Sequence, residues 1–365
     1  MKSKLLLTAA ICGLCCILGC PSNSDKGVGS GNAGESAPSF TLSWSEYPSW
    51  SVFGVAEVNG LIDGEEGAMG TIEEKWNVDI VLNLRDYDTC ITEYATNVAD
   101  AVCITNMDIL SPAVSRPAVA ILPTSTSDGA DACIVVGIEG IDGLAGKDSR
   151  GLEKSVSQYC FERVLEENGK DPANFPFKNM DPGEAAKAMQ LKQDVESIVV
   201  WNPFVIETLR KREDAKVLFD STAIKEEIID MLVIGKDSLE QPGGQRFAYA
   251  AAEAFYEVNK LIEDPSTQDE TLIALGERFA KLELEDMKTV VTQTKFYKTA
   301  GDGLALFEDK KFQDETMPAV AEFLITHDMA EKKPEFGFNA AAAQLNFDSQ
   351  FMIGTRDGVD PASIK

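Results

Sequence analysis

Several clusters of aromatic and acidic side chains carry the chemical potential of this sequence. Trp44, Glu46, Tyr47 and Trp50 fall within seven residues, alongside Ser45. Asp86 and Tyr87 are adjacent, Asn106 and Asp108 flank Met107, and Ser125, Ser127 and Asp128 lie together. Ser155 and Ser157 sit near a predicted helix start, and Trp201 and Asn202 end an apolar run. The set holds no Arg, and Lys154 is the only base expected near it. Trp and Tyr faces attract compact cations, and a carboxylate takes a guanidinium through two parallel hydrogen bonds. A nitrate or sulfonate site would instead gather Arg, Lys or helix N-termini. The residues therefore point to a small nitrogen-rich cation or neutral amide.

Each of these residues also has a structural use. Trp44 and Trp50 suit a core, and Asp86, Asp108 and Asp128 suit helix caps or turns. Ser155 and Ser157 suit a first helical turn, whereas a strand ending in Trp201-Asn202-Pro203 must turn there. Thr294 and Phe296 read as structural. His327 is the single histidine, so a His-based metal site or triad has no second imidazole to use. No GxSxG, Walker or GxGxxG pattern stands in a strand–turn–helix context. Asp63-Gly-Glu-Glu-Gly67 is too short for an EF-hand loop and reads as an acidic turn. No cofactor, metal or catalytic residue is expected.

The elements that must position these groups alternate. Strands are predicted at residues 40–44, 78–84, 101–105 and 118–123, with helices from Pro48 toward Gly60, over 89–98 and over 106–113. A second series follows: strand 133–137, helix 151–168, strand 175–179, a helix opening at Asp181-Pro-Gly-Glu184, and strands 197–201 and 217–219. Val156, Tyr159, Cys160 and Val164 share one helical face. Residues 229–234 form a further strand, and everything after Gln245 reads as helix, with stripes at Phe247, Ala251, Phe255 and Val258 and at Leu272, Leu275, Phe279 and Leu282. This is an α/β chain of two lobes joined by a double crossover, with helices returning to cover the first sheet. Such lobes can hinge on a ligand, with strand carboxyl ends facing one cleft.

The segments WSEYPSW (44–50), TNMD (105–108), DGADACIV (128–135), EKSVSQY (153–159), VVWNPF (199–204), LFDST (218–222), IIDMLVIGK (228–236) and TKFYKT (294–299) carry a family resemblance. Over roughly residues 40–325, the chain resembles the nitrate/sulfonate/taurine-type periplasmic binding proteins of ABC importers. Within them it looks most similar to binding lipoproteins linked to urea carboxylase. The resemblance implies a type II periplasmic-binding-protein fold that captures a small solute, catalyses nothing, and delivers to a permease with a cytoplasmic ATPase. Glu46 departs from the uncharged residue of relatives. The implied solute is of the guanidine, urea or amine type. A small anion (nitrate, sulfonate, taurine or bicarbonate) and a sensory role beside a membrane receptor are the alternatives.

The ends and the composition set the location. Lys2 and Lys4 precede an apolar run from Leu5 to Leu18, the layout of a secretory signal. Ile17-Leu18-Gly19-Cys20 resembles a lipobox, in which Cys20 would be acylated and anchor the chain to a bilayer. Residues 21–38, rich in Ser, Gly and Asn, read as a linker. The expected division is then lobe 1 (39–123), a hinge crossing (124–138), lobe 2 (139–225), and a return that completes lobe 1 with C-terminal helices (226–365). The formal charge of −27 becomes −29 once the two signal lysines are removed, which disfavours nucleic acid and anionic lipid as partners. A lipid-anchored monomer in the cell envelope is expected. Cys90, Cys103, Cys133 and Cys160 lie in apolar patterns without CxxC spacing, so buried free thiols are expected, although the exported compartment permits disulfides.

Overall fold

The structure, a computed structural model, describes residues 36–192 and 194–364. The expected signal, the acylated Cys20 and most of the linker lie outside the described residues.

Strands form where apolar runs are bounded by turns. They are β1 (Ser39–Trp44), β2 (Asp79–Leu84), β3 (Ala101–Thr105), β4 (Ala118–Ser127), β5 (Asp131–Val136), β6 (Ser149–Gly151), β7 (Phe177–Asn179), β8 (Ser197–Trp201), β9 (Ala215–Asp220) and β10 (Ile229–Gly235). Three short strands follow: β11 (Thr294–Phe296), β12 (Phe336–Phe338) and β13 (Leu345–Phe347). They correct the expectation that everything after Gln245 is helical. Each has three residues, too few for alternation to show against a helical background.

Two sheets result. The first runs β12-β13-β4-β10-β3-β1-β2, with β11 also paired to β4; the second runs β7-β6-β8-β5-β9. In the first, β1, β2 and β3 are parallel, while β10 is antiparallel to both its neighbours. In the second, β6 is parallel to β7 and β8, while β5 is antiparallel to β8 and β9. The two reversed strands are those the chain enters on leaving the other sheet. The outward crossing is the short link between β4 and β5, and the return is the segment between β9 and β10. An antiparallel strand begins at the edge where its parallel neighbours end. Reversal therefore brings the first residues of β5 and β10 to the cleft edge.

Packing follows the strand period. Ala132 and Ile134 of β5 join Ile198 and Val200 in one apolar layer, while Cys133 and Val135 join Val199, Phe161 and Leu165 in the other. β3 and β10 are buried along their whole length, as sandwiched strands are. The helix Gly244–Glu263 covers the first sheet, with Phe247 stacked on Phe40 at 4.9 Å. The expected helix from Pro48 begins later, at Val52, because the preceding residues make a turn with Ser51 N–H bonded to the Tyr47 carbonyl. Gly151 belongs to β6, and the helix expected from it starts at Val156. The four body cysteines are free and buried.

Candidate functional site

A cavity of ≈ 30 Å³ lies where residues of both sheets meet, lined by Ser45, Glu46, Tyr47, Trp50, Tyr87, Thr105, Asp131, Val156, Trp201, Ile228 and Asp230. Ser45 to Trp50 follow β1, Tyr87 follows β2, and Thr105 ends β3. Asp230 is near the start of β10, while Asp131 opens β5 opposite Trp201, the last residue of β8. The volume admits about two water-sized groups, so only a compact head group fits. Trp50 stacks on Tyr87 at 5.3 Å and packs against Tyr47 at 4.8 Å, giving the cavity aromatic walls.

Two of the lining carboxylates are deeply buried, Asp131 at 2% and Asp230 at 1% exposure. The sequence reading missed both. A third, Asp108, stands behind the wall, with Oδ2 accepting from the Tyr87 hydroxyl at 2.7 Å and from Thr105 Oγ1 at 2.8 Å. Among the described residues, no Lys or Arg lines this cavity. Burial pushes Asp131 up to about 6 against the bonding of Ser127, with Asp108 adding to the rise. Burial also raises Asp108 to about 6, and it drives Asp230 well above the ordinary carboxylate range. Low-dielectric surroundings disfavour the charged form, and neighbouring like charges add to the effect.

Hydroxyls support these acids from behind. Ser125 Oγ donates to Asp230 Oδ2 at 2.5 Å and lies 2.8 Å from Ser49 Oγ; Thr124 Oγ1 lies 2.9 Å beyond Ser49. A register shift between Asp230 and Met231 marks a bulge in the β4–β10 pairing, of the kind that re-aims a side chain near a site. Ser127 Oγ accepts from the Asp131 amide at 3.1 Å. Several buried polar atoms have no partner: Asp131 Oδ1, the Tyr47 hydroxyl and Trp50 Nε1 on the lining residues, with Ser157 Oγ, Asn202 Oδ1 and Thr294 Oγ1 elsewhere. Burial raises the Tyr47 hydroxyl pKa, with Asp230 and Asp131 adding to it.

The sequence candidates thus separate. Ser45, Glu46, Tyr47, Trp50, Tyr87 and Trp201 line the cavity. Asp108, Ser125 and Ser127 sit one contact behind it. Trp44 is buried against Gly54. Asn106 clasps the return crossing, with Nδ2 donating to the Glu227 carbonyl at 3.0 Å and Oδ1 accepting from Ile229 N–H at 3.1 Å. Asp86 caps the helix Tyr87–Ala95 through Thr89, and Ser155 caps Val156–Glu167. Asp128 lines a different groove, beside Lys295 and Asp302. Asn202 donates to Gln293 Oε1 at 2.9 Å. A signal for the missed pair does exist in the sequence: each is a lone acid at the head of a wholly apolar strand, and such a charge needs a reason to be buried.

Ser45, Glu46, Tyr87 and Trp201 also line a wider groove of ≈ 650 Å³. Glu46, Asp86, Asp88, Asp181 and Glu207 make it acidic, and among the described residues Arg85 is its one base. That corrects the expectation of Lys154 alone. Arg85 is paired with Glu93 at 2.9 Å, and Lys154 borders a separate groove with Asp108.

No protein-family model and no curated protein matches the sequence. Solved structures do match. The periplasmic aliphatic sulphonate binding protein of Escherichia coli aligns with a TM-score of 0.62 at 14% identity, over 81% of this chain and 89% of that one. The alkanesulfonate-binding protein of Xanthomonas axonopodis pv. citri, solved with MOPS, aligns at 0.62 and 13% identity, over 82% and 96%. The periplasmic nitrate-binding protein of Synechocystis aligns at 0.58 and 11% identity, over 89% of each chain. The chain has the two-lobed α/β fold of periplasmic binding proteins.

Proposed function

We propose that this protein is an extracytoplasmic solute receptor of an ABC importer, anchored through Cys20 and selective for a small nitrogen-containing solute of the guanidine, urea or amine type. The reading is of binding and delivery, without turnover. One observation carries it: Asp131 and Asp230, with Asp108 behind them, are buried beside an aromatic-walled cavity that, among the described residues, no Lys or Arg lines. A buried carboxylate is costly unless an opposite charge meets it, and a bound cation would supply that charge. The acidic outer groove would concentrate cations at the entrance.

Delivery would follow from the topology. Solute first meets the walls of the larger lobe, then contacts from both sheets favour the closed state by differential affinity. The closed form would dock on a permease.

A small anion is the second reading, since the structural neighbours include proteins named for sulfonate and nitrate. An anion would have to sit beside these acids with, among the described residues, no Lys or Arg on the cavity wall, and would meet like charge wherever the acids are ionised. A thermal-shift screen followed by calorimetry would decide, since binding to the native state raises the melting temperature. Stabilisation by guanidines, ureas or amines is expected. Tight binding of nitrate or alkylsulfonates, with no response to nitrogenous solutes, would overturn the proposal.

A further inference from the structure

We infer that the solute presents N–H donors on a compact cationic head, and that Asp131 and Asp230, one from each sheet, take that head between them. The inference rests on the cation reading above and adds to it the kind of cation and the pair of residues that select it.

The two acids hold equivalent places. Each lies at the head of the strand that enters its sheet against the direction of its parallel members, so each reaches the cleft edge from its own lobe. Asp131 is fastened to the second sheet and Asp230 to the first, so separating the lobes would separate the pair. A head group bridging them would make closure part of binding.

The hydrogen-bond inventory then narrows the cation. Asp131 Oδ1 is a buried acceptor without a donor. Asp230 takes a hydroxyl donor from Ser125 and has the Tyr47 hydroxyl beside it, and an ionised carboxylate has about four acceptor sites. These groups ask for donors as well as charge. A guanidinium or primary ammonium supplies them, the former through paired N–H groups. A quaternary ammonium of similar charge could use the Trp50 and Tyr87 faces, but it would leave Asp131 Oδ1 unsatisfied. That deficit corresponds to roughly 10- to 100-fold in affinity. The small cavity adds a steric term in the same direction.

Calorimetry on the full-length protein in detergent tests this with four probes: guanidinium at low millimolar concentration, methylammonium, tetramethylammonium and methanesulfonate. Guanidinium or methylammonium is expected to bind at least tenfold more tightly than tetramethylammonium. The variants D131N and D230N should each lose roughly 10- to 100-fold of that affinity, with melting curves showing that both remain folded. Equal or tighter binding of tetramethylammonium would overturn the donor requirement while leaving the cation reading intact. Unchanged affinity in both variants would overturn the assignment of the pair. Binding of methanesulfonate alone would overturn this inference and the cation reading together.

Discussion

On the cation reading, Asp131 would serve binding at the expense of stability. Its carboxyl is raised to about 6 by burial, so the folded protein holds this proton more tightly than the unfolded chain. The sign follows from linkage: between the ordinary value near 4 and about 6, folding takes up a proton, and stability falls as pH rises through that window. At pH 7.5 the ionised group opposes folding, and D131N should raise stability by an amount on the order of 1–3 kcal/mol while weakening solute binding. Denaturant titration of both proteins at pH 7.5 and 5 would show a gain that shrinks at the lower pH. For the bound cation the sign reverses. Protonating Asp131 below pH 6 removes the attracting charge, so affinity should fall by up to about tenfold per pH unit. An anion would bind more tightly as pH fell, so one calorimetric series separates the two. Trp201 offers a simpler check. It is half-buried on the cavity wall, and Trp201→Ala should raise the Kd with little change in the melting temperature.

Single elements carry two further consequences. In β6, Gly151 lies so close to β8 that an added Cβ would stand 2.5 Å from the Val199 carbonyl oxygen and 2.8 Å from the Phe177 ring. Gly151→Ala should cost about 1–3 kcal/mol of stability through overpacking, read as a lower denaturant midpoint. His327 follows the helix Met317–Thr326, and its Nε2 lies 2.8 Å from Glu162 on the helix Val156–Glu167. The carboxylate raises the imidazole pKa against burial, with the Phe323 carbonyl helping and Lys154 opposing. A raised histidine contributes fully below its unfolded value near 6.5 and loses that contribution as pH rises through the folded value. The stability difference between the wild type and H327Q should therefore be larger at pH 6 than at pH 9. A pH-independent difference would mean that Phe323 stacking at 3.9 Å, rather than charge, holds the ring.

For the whole molecule, charge and topology act together. A chain of formal charge −27 with an acidic groove leading to the cavity should draw cations in by long-range attraction. Stopped-flow association rates for a cationic solute should fall as ionic strength rises, because salt shortens the reach of that field. A rate that rises with salt would point to an anion. The rim pair Arg210–Asp286, at 2.5 Å and half-exposed on the arginine side, joins the two lobes and should matter little: Arg210→Ala should change affinity by less than about fivefold.

Most of the architecture was legible in the sequence because apolar periodicity and capping residues act locally. β3 spans the predicted 101–105, and Asp181 caps the helix Pro182–Gln190 as its sequence implied. Six residues that line the cavity were nominated too, because they stand at or just beyond the carboxyl ends of predicted strands. The strands β11, β12 and β13 were not legible, because β11 and β13 gain their ladder only from the distant β4, and β12 only from β13 once that is in place. Asp131 and Asp230 were hidden for a related reason. Each reads as a lone acid at the head of an apolar strand, and only the reversed direction of β5 and β10 brings both to one cavity. Residue type determined the chemistry on offer, aromatic and acidic. Which acids are buried together depends on strand direction across two sheets, and that is settled only when the whole chain packs.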